Sequence, residues 1–371
     1  MNCKYFGTCG ACIVYEGGYE QQLSLKVTLN QERFRPFYSG ALSVFESPKG
    51  NYRSRSEFKI WHEGELLHYA MNNRDKNGVV FIDECPQVST SIFTLMPKLL
   101  SMIQEKKIGF KLFGADFLSS NSGEIVVSLL YHKTLDAAWN ENAAEIAKEL
   151  GIYIIGRSRG QKVVIGQDYV TEILYVEQEE FRFCYIENSF TQPNFRVNEQ
   201  MIGWVLKNLP DTSSDLLELY CGAGNFTIPF AKKFRKVLAT EISKASINAA
   251  QANMLLNSVQ NIEFVRMSVE EFVQALDGVR VFNRMREIEI SSYEIHTIFV
   301  DPPRSGMDED TCKFAARYEN IIYISCNPET LARDLALLCQ THTVCDMALF
   351  DQFPYTHHAE MGVKLKKKDR E

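Results

Sequence analysis

The carboxyl-terminal half of the chain alternates short apolar runs with helical segments, and this rhythm constrains the fold more than any other feature. The proposed strands are DLLELY, KVLATEI, IEFVRM, HTIFVD, NIIYISC, TVCDMALF and EMGVKLK. Helices are predicted after most of them. Repeated strand–helix units build a mostly parallel, doubly wound sheet, because right-handed crossovers return the chain to the same edge. Ligands of such sheets bind outside the carboxyl ends of the strands, so we expect the functional site there.

The chain has 371 residues, which is more than one ordinary core accommodates. We divide it into three parts. A Cys-rich segment with a helix occupies residues 1–45, and an α+β domain occupies residues 46–185. The third part, residues 186–371, holds the strand–helix repeats and is therefore predicted to be a doubly wound α/β domain.

Local patterns define the elements of the first two parts. Short alternating strands turn at Gly-containing sites at residues 63–64 and 121–123, which is typical of antiparallel hairpins. Helical stretches are predicted near 88–106 and 136–150. In the first part, YEQQLSLKVTLNQERF has the spacing of an amphipathic helix.

Composition restricts the functional class only weakly. A net charge of −7 argues mildly against a nucleic-acid partner, because phosphate contacts need lysine and arginine. Positive charge is nevertheless concentrated in GNYRSRSEFK and GRSRGQK, and such runs are either solvated faces or RNA contacts. No stretch approaches the roughly 18 uninterrupted apolar residues of a membrane helix, and the amino terminus has no apolar export region. We therefore expect a cytoplasmic protein whose ten cysteines are thiols or metal ligands.

A cofactor site is predicted where the first strand of the α/β domain turns into a helix, at ELYCGAGNF. Glycines at 222 and 224 let the backbone approach a ligand closely. Glu241, at the end of the next strand, is placed to accept hydrogen bonds from both hydroxyls of a ribose. A dinucleotide-binding turn would have a third glycine at position 227, which is Thr. The motif therefore favours S-adenosylmethionine over NAD, and a tight turn without ligand is the remaining interpretation.

Three polar side chains, each near the end of a strand, predict the catalytic centre. Asp301 precedes two prolines, Cys326 lies just before a helix, and Glu360 begins the last strand. A thiol there is either a small buried hydrophobe or a nucleophile, and the start of a helix is expected to lower its pKa. His357 and His358 suggest a metal site, but adjacent strand residues face opposite ways, so acid/base chemistry is the favoured interpretation.

Together, ENSFTQPN, ELYCGAGNF, ATEI, FVDPPRSG, YISCNPETL and LFDQFPYTHHAEMG resemble the RNA uracil-C5-methyltransferase family. The resemblance extends from about residue 50 onward, includes YRSRSEFKIWH and VVSLLYHK, and is strongest to the branch that methylates uridine 54 in the tRNA T-loop. It implies a class I methyltransferase domain of Rossmann-like topology behind an RNA-binding domain. It also implies that Cys326 is the nucleophile and Glu360 the base.

The same resemblance assigns further residues by position. The pocket for S-adenosylmethionine and the nearby uracil would be lined by Gln192, Tyr220, Asn225, Glu241 and Asp301. RNA contacts would come from Arg53, Phe113 and His132 in the middle domain. The partner implied is the T-loop of tRNA, bound by a monomeric enzyme.

The amino-terminal cysteines depart from the tRNA branch. Cys3, Cys9 and Cys12, with Cys85 before a proline, are similar to the iron–sulfur motif of the family's 23S rRNA branch. Four thiolates at this spacing suit a [4Fe–4S] cluster, while zinc and unliganded thiols remain alternatives.

Two substrates and two other classes of protein stay open at this point. The middle domain favours tRNA, while the cysteine motif favours 23S rRNA with the same chemistry. An RNA-binding module without essential activity is disfavoured by the catalytic residues. An NAD oxidoreductase is disfavoured by the missing third glycine.

Overall fold

The computed structural model describes residues 1–210 and 214–369. Helix α1 (Gly18–Phe34) confirms the predicted helix but not its amphipathic character, because Gln22, Lys26 and Asn30 are buried while Leu25 and Leu29 are exposed. Its buried residues Tyr19, Leu23 and Phe34 join the core of the carboxyl-terminal sheet. Strand β1 (Ser43–Phe45) follows and pairs in parallel with the strand that contains Ala348. No pattern in the sequence predicts β1. The first part of the chain therefore packs against the α/β domain rather than standing alone.

The middle of the chain forms a mixed sheet with two helices on one face. Its elements are β2 (Arg55–Glu63), β3 (Leu66–Asn72), β4 (Val79–Ile82), α2 (Thr90–Glu105), β5 (Leu112–Ser119), β6 (Ile125–Tyr131), α3 (Ala137–Leu150), β7 (Tyr153–Ser158) and β8 (Gln161–Ile165). The strand order is β4-β3-β2-β5-β6-β7-β8. Both predicted turns and both predicted helices are confirmed. Apolar residues of α2 and α3 share one core with the inner face of the sheet.

A two-stranded hairpin, β9 (Tyr169–Val176) with β10 (Glu179–Ile186), connects the two larger sheets. Its apolar face packs in one core with Leu118 and Val126 of the middle sheet and with Trp204 from the α/β domain. Because this core is continuous, the middle sheet has a fixed position relative to the carboxyl-terminal sheet.

The remaining elements form the doubly wound domain. They are α4 (Phe195–Asn208), β11 (Asp215–Leu219), α5 (Thr227–Phe230), β12 (Val237–Thr240), α6 (Lys244–Leu256), β13 (Ile262–Val265), α7 (Val269–Leu276), β14 (Ile295–Val300), α8 (Glu309–Ala315), β15 (Asn320–Ser325), α9 (Pro328–Leu338), β16 (His342–Phe350) and β17 (Glu360–Lys367). The strand order is β1-β16-β17-β15-β14-β11-β12-β13. All the predicted strands are confirmed, and the predicted fold class is correct.

Two features of this sheet position the site. From β11 the chain winds first to β12 and β13 on one side and then to β14 and β15 on the other, so the strand order reverses beside β11. Ligands collect at such a switch point. Strand β17 runs antiparallel between β15 and β16, which brings its first residue to the carboxyl edge of the parallel strands. Within the part of the chain that the structure describes, no helix combines the length and apolar character that crossing a membrane requires.

Candidate active site

The predicted catalytic side chains meet at one edge of the sheet. Cys326 directly follows β15, and Glu360 is the first residue of β17. Ser325 and Met361 are paired across these two strands, so Cys326 and Glu360 occupy the next position of the same register. Asp301 directly follows β14, the other neighbour of β15. The sequence-based grouping of these side chains is therefore correct.

Burial raises the pKa of all three acids in this cluster, and repulsion by neighbouring carboxylates adds to the shift for Glu360 and Cys326. Burial, and then the nearby Asp301, raise the pKa of Glu360 to about 8. Burial raises the pKa of Asp301 to about 7. For Cys326, burial followed by the charges of Glu360 and Asp301 raises the thiol pKa to about 11, although Arg304 opposes the shift. The expectation of a lowered thiol pKa is wrong, because desolvation and two carboxylates outweigh the start of α9.

A turn between β11 and α5 forms the predicted cofactor site. Gly222 has a φ of 55°, and a side chain at this position would meet no described atom within 4 Å, so the backbone faces open space. The Glu241 carboxylate lies beside the turn, where Oε2 accepts from the Gly222 amide at 3.2 Å and Oε1 accepts from the Ser243 amide at 2.8 Å. Each oxygen keeps a further lone pair for a ribose hydroxyl.

A pocket of about 280 Å³ adjoins this turn. Tyr220 and Glu241 line it, together with Ile242, whose side chain is 69% exposed. Ile242 was not among the predicted site residues. Its position directly after Glu241 could have indicated an apolar side chain that packs against a planar base. The pocket thus fits an adenosine, with an apolar wall for adenine and a carboxylate for ribose.

The other predicted cofactor residues lie outside the walls of this pocket. Asn225 exchanges two hydrogen bonds with Asn198 at 2.8 and 2.9 Å, which fixes its amide. Gln192 is 8% exposed and accepts from Gln352 Nε2 at 2.8 Å. Gln352 was also missed, and its buried Oε1 has no hydrogen-bond partner among the described residues. Such an acceptor needs a donor from water or from a bound molecule.

Cys326 opens onto a cleft of about 620 Å³. One wall is α1, and the other consists of the first residues of α9 and the loop between β16 and β17. Side chains that line this cleft besides Cys326 include Leu25, Lys26, Leu29, Arg33, Arg304 and His357. The cleft is wide enough for a nucleotide, and its arginines supply positive charge for a phosphate.

The predicted RNA contacts are split between two places. The rings of Phe113 and His132 stack with centroids 4.0 Å apart and planes inclined by 14°. A β-bulge between Leu112 and Gly114 turns Phe113 outward, where it is 40% exposed. Arg53 lies elsewhere, with its guanidinium 5.9 Å from the Phe353 ring beside the catalytic cleft. At the usual strand rise, Phe113 lies about 20 Å from Ser119 at the other end of β5, and the Ser119 amide donates to the backbone oxygen of Ser54, next to Arg53.

The amino-terminal cysteines converge as the motif predicts. Cys3, Cys9, Cys12 and Cys85 all line one small cavity between the amino-terminal segment and the middle sheet. Burial raises the pKa of Cys85 to about 11. However, no group of three or more His, Cys, Asp or Glu side chains within residues 1–210 and 214–369 is spaced to hold a metal ion. The donor chemistry fits a cluster, while the separation of the sulfur atoms does not fit bound metal.

The sheet is doubly wound and has an adenosine pocket at its switch point. Thr227 stands where a dinucleotide-binding turn has its third glycine. These features define the class of S-adenosylmethionine-dependent methyltransferases. The sequence model described as "tRNA (Uracil-5-)-methyltransferase" matches residues 18–368. The chain therefore belongs to the tRNA (uracil-5-)-methyltransferase family and is an enzyme of this type.

Individual relatives agree with this assignment. A tRNA/tmRNA (uracil-C(5))-methyltransferase of Sulfurimonas denitrificans is 76% identical over 99% of this chain and 100% of its own length. A protein of the same name from Aliarcobacter butzleri is 51% identical over 99% of both chains. In fold, the chain is similar to the crystal structure of Pyrococcus abyssi tRNA (uracil-54, C5)-methyltransferase in complex with S-adenosyl-L-homocysteine. That match has a TM-score of 0.72 and 23% identity, and it covers 96% of this chain and 85% of the other.

Proposed function

We propose that this enzyme methylates carbon 5 of uridine 54 in the T-loop of tRNA through a covalent adduct. The observation that carries the proposal is the position of Cys326 beside Glu360 and Asp301. Only β14 lies between β15, which ends just before Cys326, and β11, which leads into the adenosine pocket. S-adenosylmethionine supplies the methyl group when it is bound. The names of the relatives support tRNA as the substrate.

The chemistry requires an enzyme nucleophile because carbon 5 of uracil is itself too weak a nucleophile to attack the methyl group directly. The Cys326 thiol loses its proton and its sulfur bonds to carbon 6, which leaves an enolate with negative charge on carbon 5. Carbon 5 then bonds to the methyl group while the bond between that methyl group and the sulfonium sulfur of the donor breaks, which leaves a neutral thioether. Glu360 removes the remaining carbon-5 proton, the carbon 5–carbon 6 double bond is restored, and the carbon 6–sulfur bond breaks to release the Cys326 thiolate. The thiolate then regains a proton and Glu360 loses one, so the enzyme returns to its starting form, the ring carries a methyl group, and one proton is released overall.

The raised pKa values of Glu360 and Asp301 suit this series of reaction steps. A Glu360 pKa of about 8 allows the group to accept a proton in one step and to lose it to water before the next. A neutral Asp301 and a neutral Glu360 would also remove the charges that hold the Cys326 proton in place. Thiolate formation is therefore easier while these carboxyl groups are neutral, and Glu360 must then lose its proton before it acts as the base.

The target base must leave its stack to reach Cys326, and an RNA loop opens more easily than a duplex. We propose that the Phe113–His132 pair stacks on unpaired T-loop bases while Arg53 contacts the backbone near the catalytic cleft. The separation of these sites by about 20 Å is compatible with one loop held at two points.

Replacing Phe113 with alanine is expected to weaken tRNA binding about tenfold, because stacking one base on an aromatic ring contributes about 1–3 kcal/mol. Filter binding at fixed salt measures this. Tyr175→Ala is the matched control, since Tyr175 is an exposed aromatic side chain (52%) on the hairpin. Equal affinities for wild type and Phe113→Ala would contradict the stacking role.

The choice between tRNA and 23S rRNA is tested with transcripts. The enzyme, purified and incubated with labelled S-adenosylmethionine, is expected to label a tRNA transcript at uridine 54 and to leave a 23S rRNA transcript unlabelled. Mapping the modified nucleotide decides the question, because label only in rRNA would establish the alternative.

The proposal includes a monomeric cytoplasmic enzyme. Light scattering tests the oligomeric state, and cell fractionation tests the localisation.

We also propose that Cys3, Cys9, Cys12 and Cys85 hold a [4Fe–4S] cluster, because four thiols line one cavity. The described side chains are not spaced to hold a metal ion, so the proposal requires them to move together when the cluster binds. Anaerobically purified protein is expected to be brown, with about four iron atoms per chain. Cys85→Ala should lose the iron, whereas Cys345→Ala should keep it, since Cys345 is an exposed thiol on β16. Colourless protein free of iron would exclude the cluster, and stoichiometric zinc would establish the alternative site.

A further inference from the structure

The loop between β16 and β17, residues 351–359, leads directly into Glu360 and is held by a charged side chain of α1. Lys26 Nζ donates to Asp351 Oδ1 at 2.7 Å and to the backbone oxygen of Phe353 at 2.9 Å. Both contacts join residues more than 300 positions apart in the chain. The first part of the chain thereby fixes the segment that precedes the predicted base.

A second side chain of α1 reinforces these contacts. Gln22 Nε2 donates to Asp351 Oδ2 at 2.8 Å, and Gln22 Oε1 accepts from the Tyr355 amide at 3.2 Å. Gln22 and Lys26 are four residues apart, so they lie on one face of the helix. Together they bind the loop at three alternate residues.

Burial makes this arrangement specific. Gln22 and Asp351 are 0% exposed, and Lys26 is 5% exposed. Burial lowers the pKa of Lys26, and Asp351 opposes that shift. A buried ion pair is costly to desolvate and is often no better for stability than apolar residues of the same shape. Its directional hydrogen bonds, however, allow only one position of the loop.

The loop connects these contacts to the reaction. Gln352, next to Asp351, donates to Gln192 at the predicted uracil pocket. At its other end the loop delivers Glu360 to the position beside Cys326. A shift of the loop would therefore move the base relative to the carbon-5 proton.

We infer that Lys26 and Gln22 are positioning residues, which hold the 351–359 loop so that Glu360 meets the carbon-5 proton of the uracil adduct. This inference rests on the proposed function. It assigns α1 a role in proton removal and in breaking the carbon 6–sulfur bond, and it assigns α1 no role in forming that bond.

The test measures methyl transfer and covalent adduct together. For Lys26→Met we expect kcat to fall about 10- to 100-fold, because a base displaced by about 1 Å loses that much rate. Lys26 also lines the cleft, so KM for tRNA is expected to rise as well, and the adduct measurement separates the two effects. The methylated RNA–enzyme adduct, seen on a denaturing gel during turnover, should increase per folded enzyme molecule. Gln22→Met should do the same more weakly, and it leaves the Asp351 ion pair in place if Lys26→Met folds poorly.

Arg235→Met is the matched control, because Arg235 also pairs with a fully buried aspartate, Asp215, but at the opposite edge of the sheet. It should lower stability without increasing adduct. If Lys26→Met and Gln22→Met lose activity only in proportion to their folded fraction, with no additional adduct, the inference is overturned. If wild-type enzyme transfers no methyl group to tRNA, the proposed function itself has failed instead.

Discussion

Replacing Cys326 with alanine is expected to abolish methyl transfer, with a residual rate below about one part in 10⁴ of wild type. The alanine cannot bond to carbon 6, so carbon 5 never gains the charge that accepts the methyl group. RNA affinity should persist, because the proposed RNA contacts lie in the cleft wall and the middle sheet rather than at Cys326. Incorporation of labelled methyl groups measures the first effect, and filter binding measures the second.

Two other thiol substitutions sharpen this experiment. Cys345→Ala removes an exposed thiol on β16 and should leave the rate unchanged. Cys326→Ser keeps the shape of the side chain but is expected to be as inactive as alanine, because a hydroxyl adds poorly to the ring. Full turnover by Cys326→Ala would refute the covalent mechanism.

The sheet and its edge were predictable because their signals are local. Each apolar run of the α/β domain became a strand, since a buried parallel strand needs little besides continuous apolar residues. The order of the polar residues at strand ends then placed Asp301 and Cys326 together, as neighbouring parallel strands bring their ends to one edge. Glu360 joined them because β17 starts there.

What the sequence did not reveal depends on contacts between distant parts of the chain. Nothing near Lys26 or Asp351 announces their pairing, since the partners lie more than 300 residues apart. Strand β1 was missed for the same reason, because three residues carry no period and the strand exists only through its pairing with β16.

The thiol pKa illustrates a second limit. The position of Cys326 before α9 correctly indicates a helix dipole, which lowers a thiol pKa. The larger effects are burial and the charges of Glu360 and Asp301, which raise it. Those effects depend on how closely the side chains pack at the edge of the sheet. The sequence therefore identifies the groups that shift the thiol pKa but not the net direction of the shift.

Replacing Glu360 with glutamine is expected to trap the enzyme on its RNA. The neutral amide cannot accept the carbon-5 proton, so the methylated ring stays bonded to Cys326 after the methyl group has transferred. A denaturing gel with labelled tRNA should show nearly one RNA per enzyme molecule, while turnover falls at least about 10³-fold. The double variant Cys326→Ala with Glu360→Gln should show no such band.

The pH dependence separates this explanation from simple loss of structure. Because the pKa of Glu360 is raised to about 8, its base form is present above that pH and is lost as pH falls. Wild-type enzyme should therefore accumulate adduct below about pH 8 and release it faster as pH rises through that value. Glu360→Gln should hold its adduct equally on both sides of this range. A wild-type adduct that does not respond to pH would show that another group removes the proton.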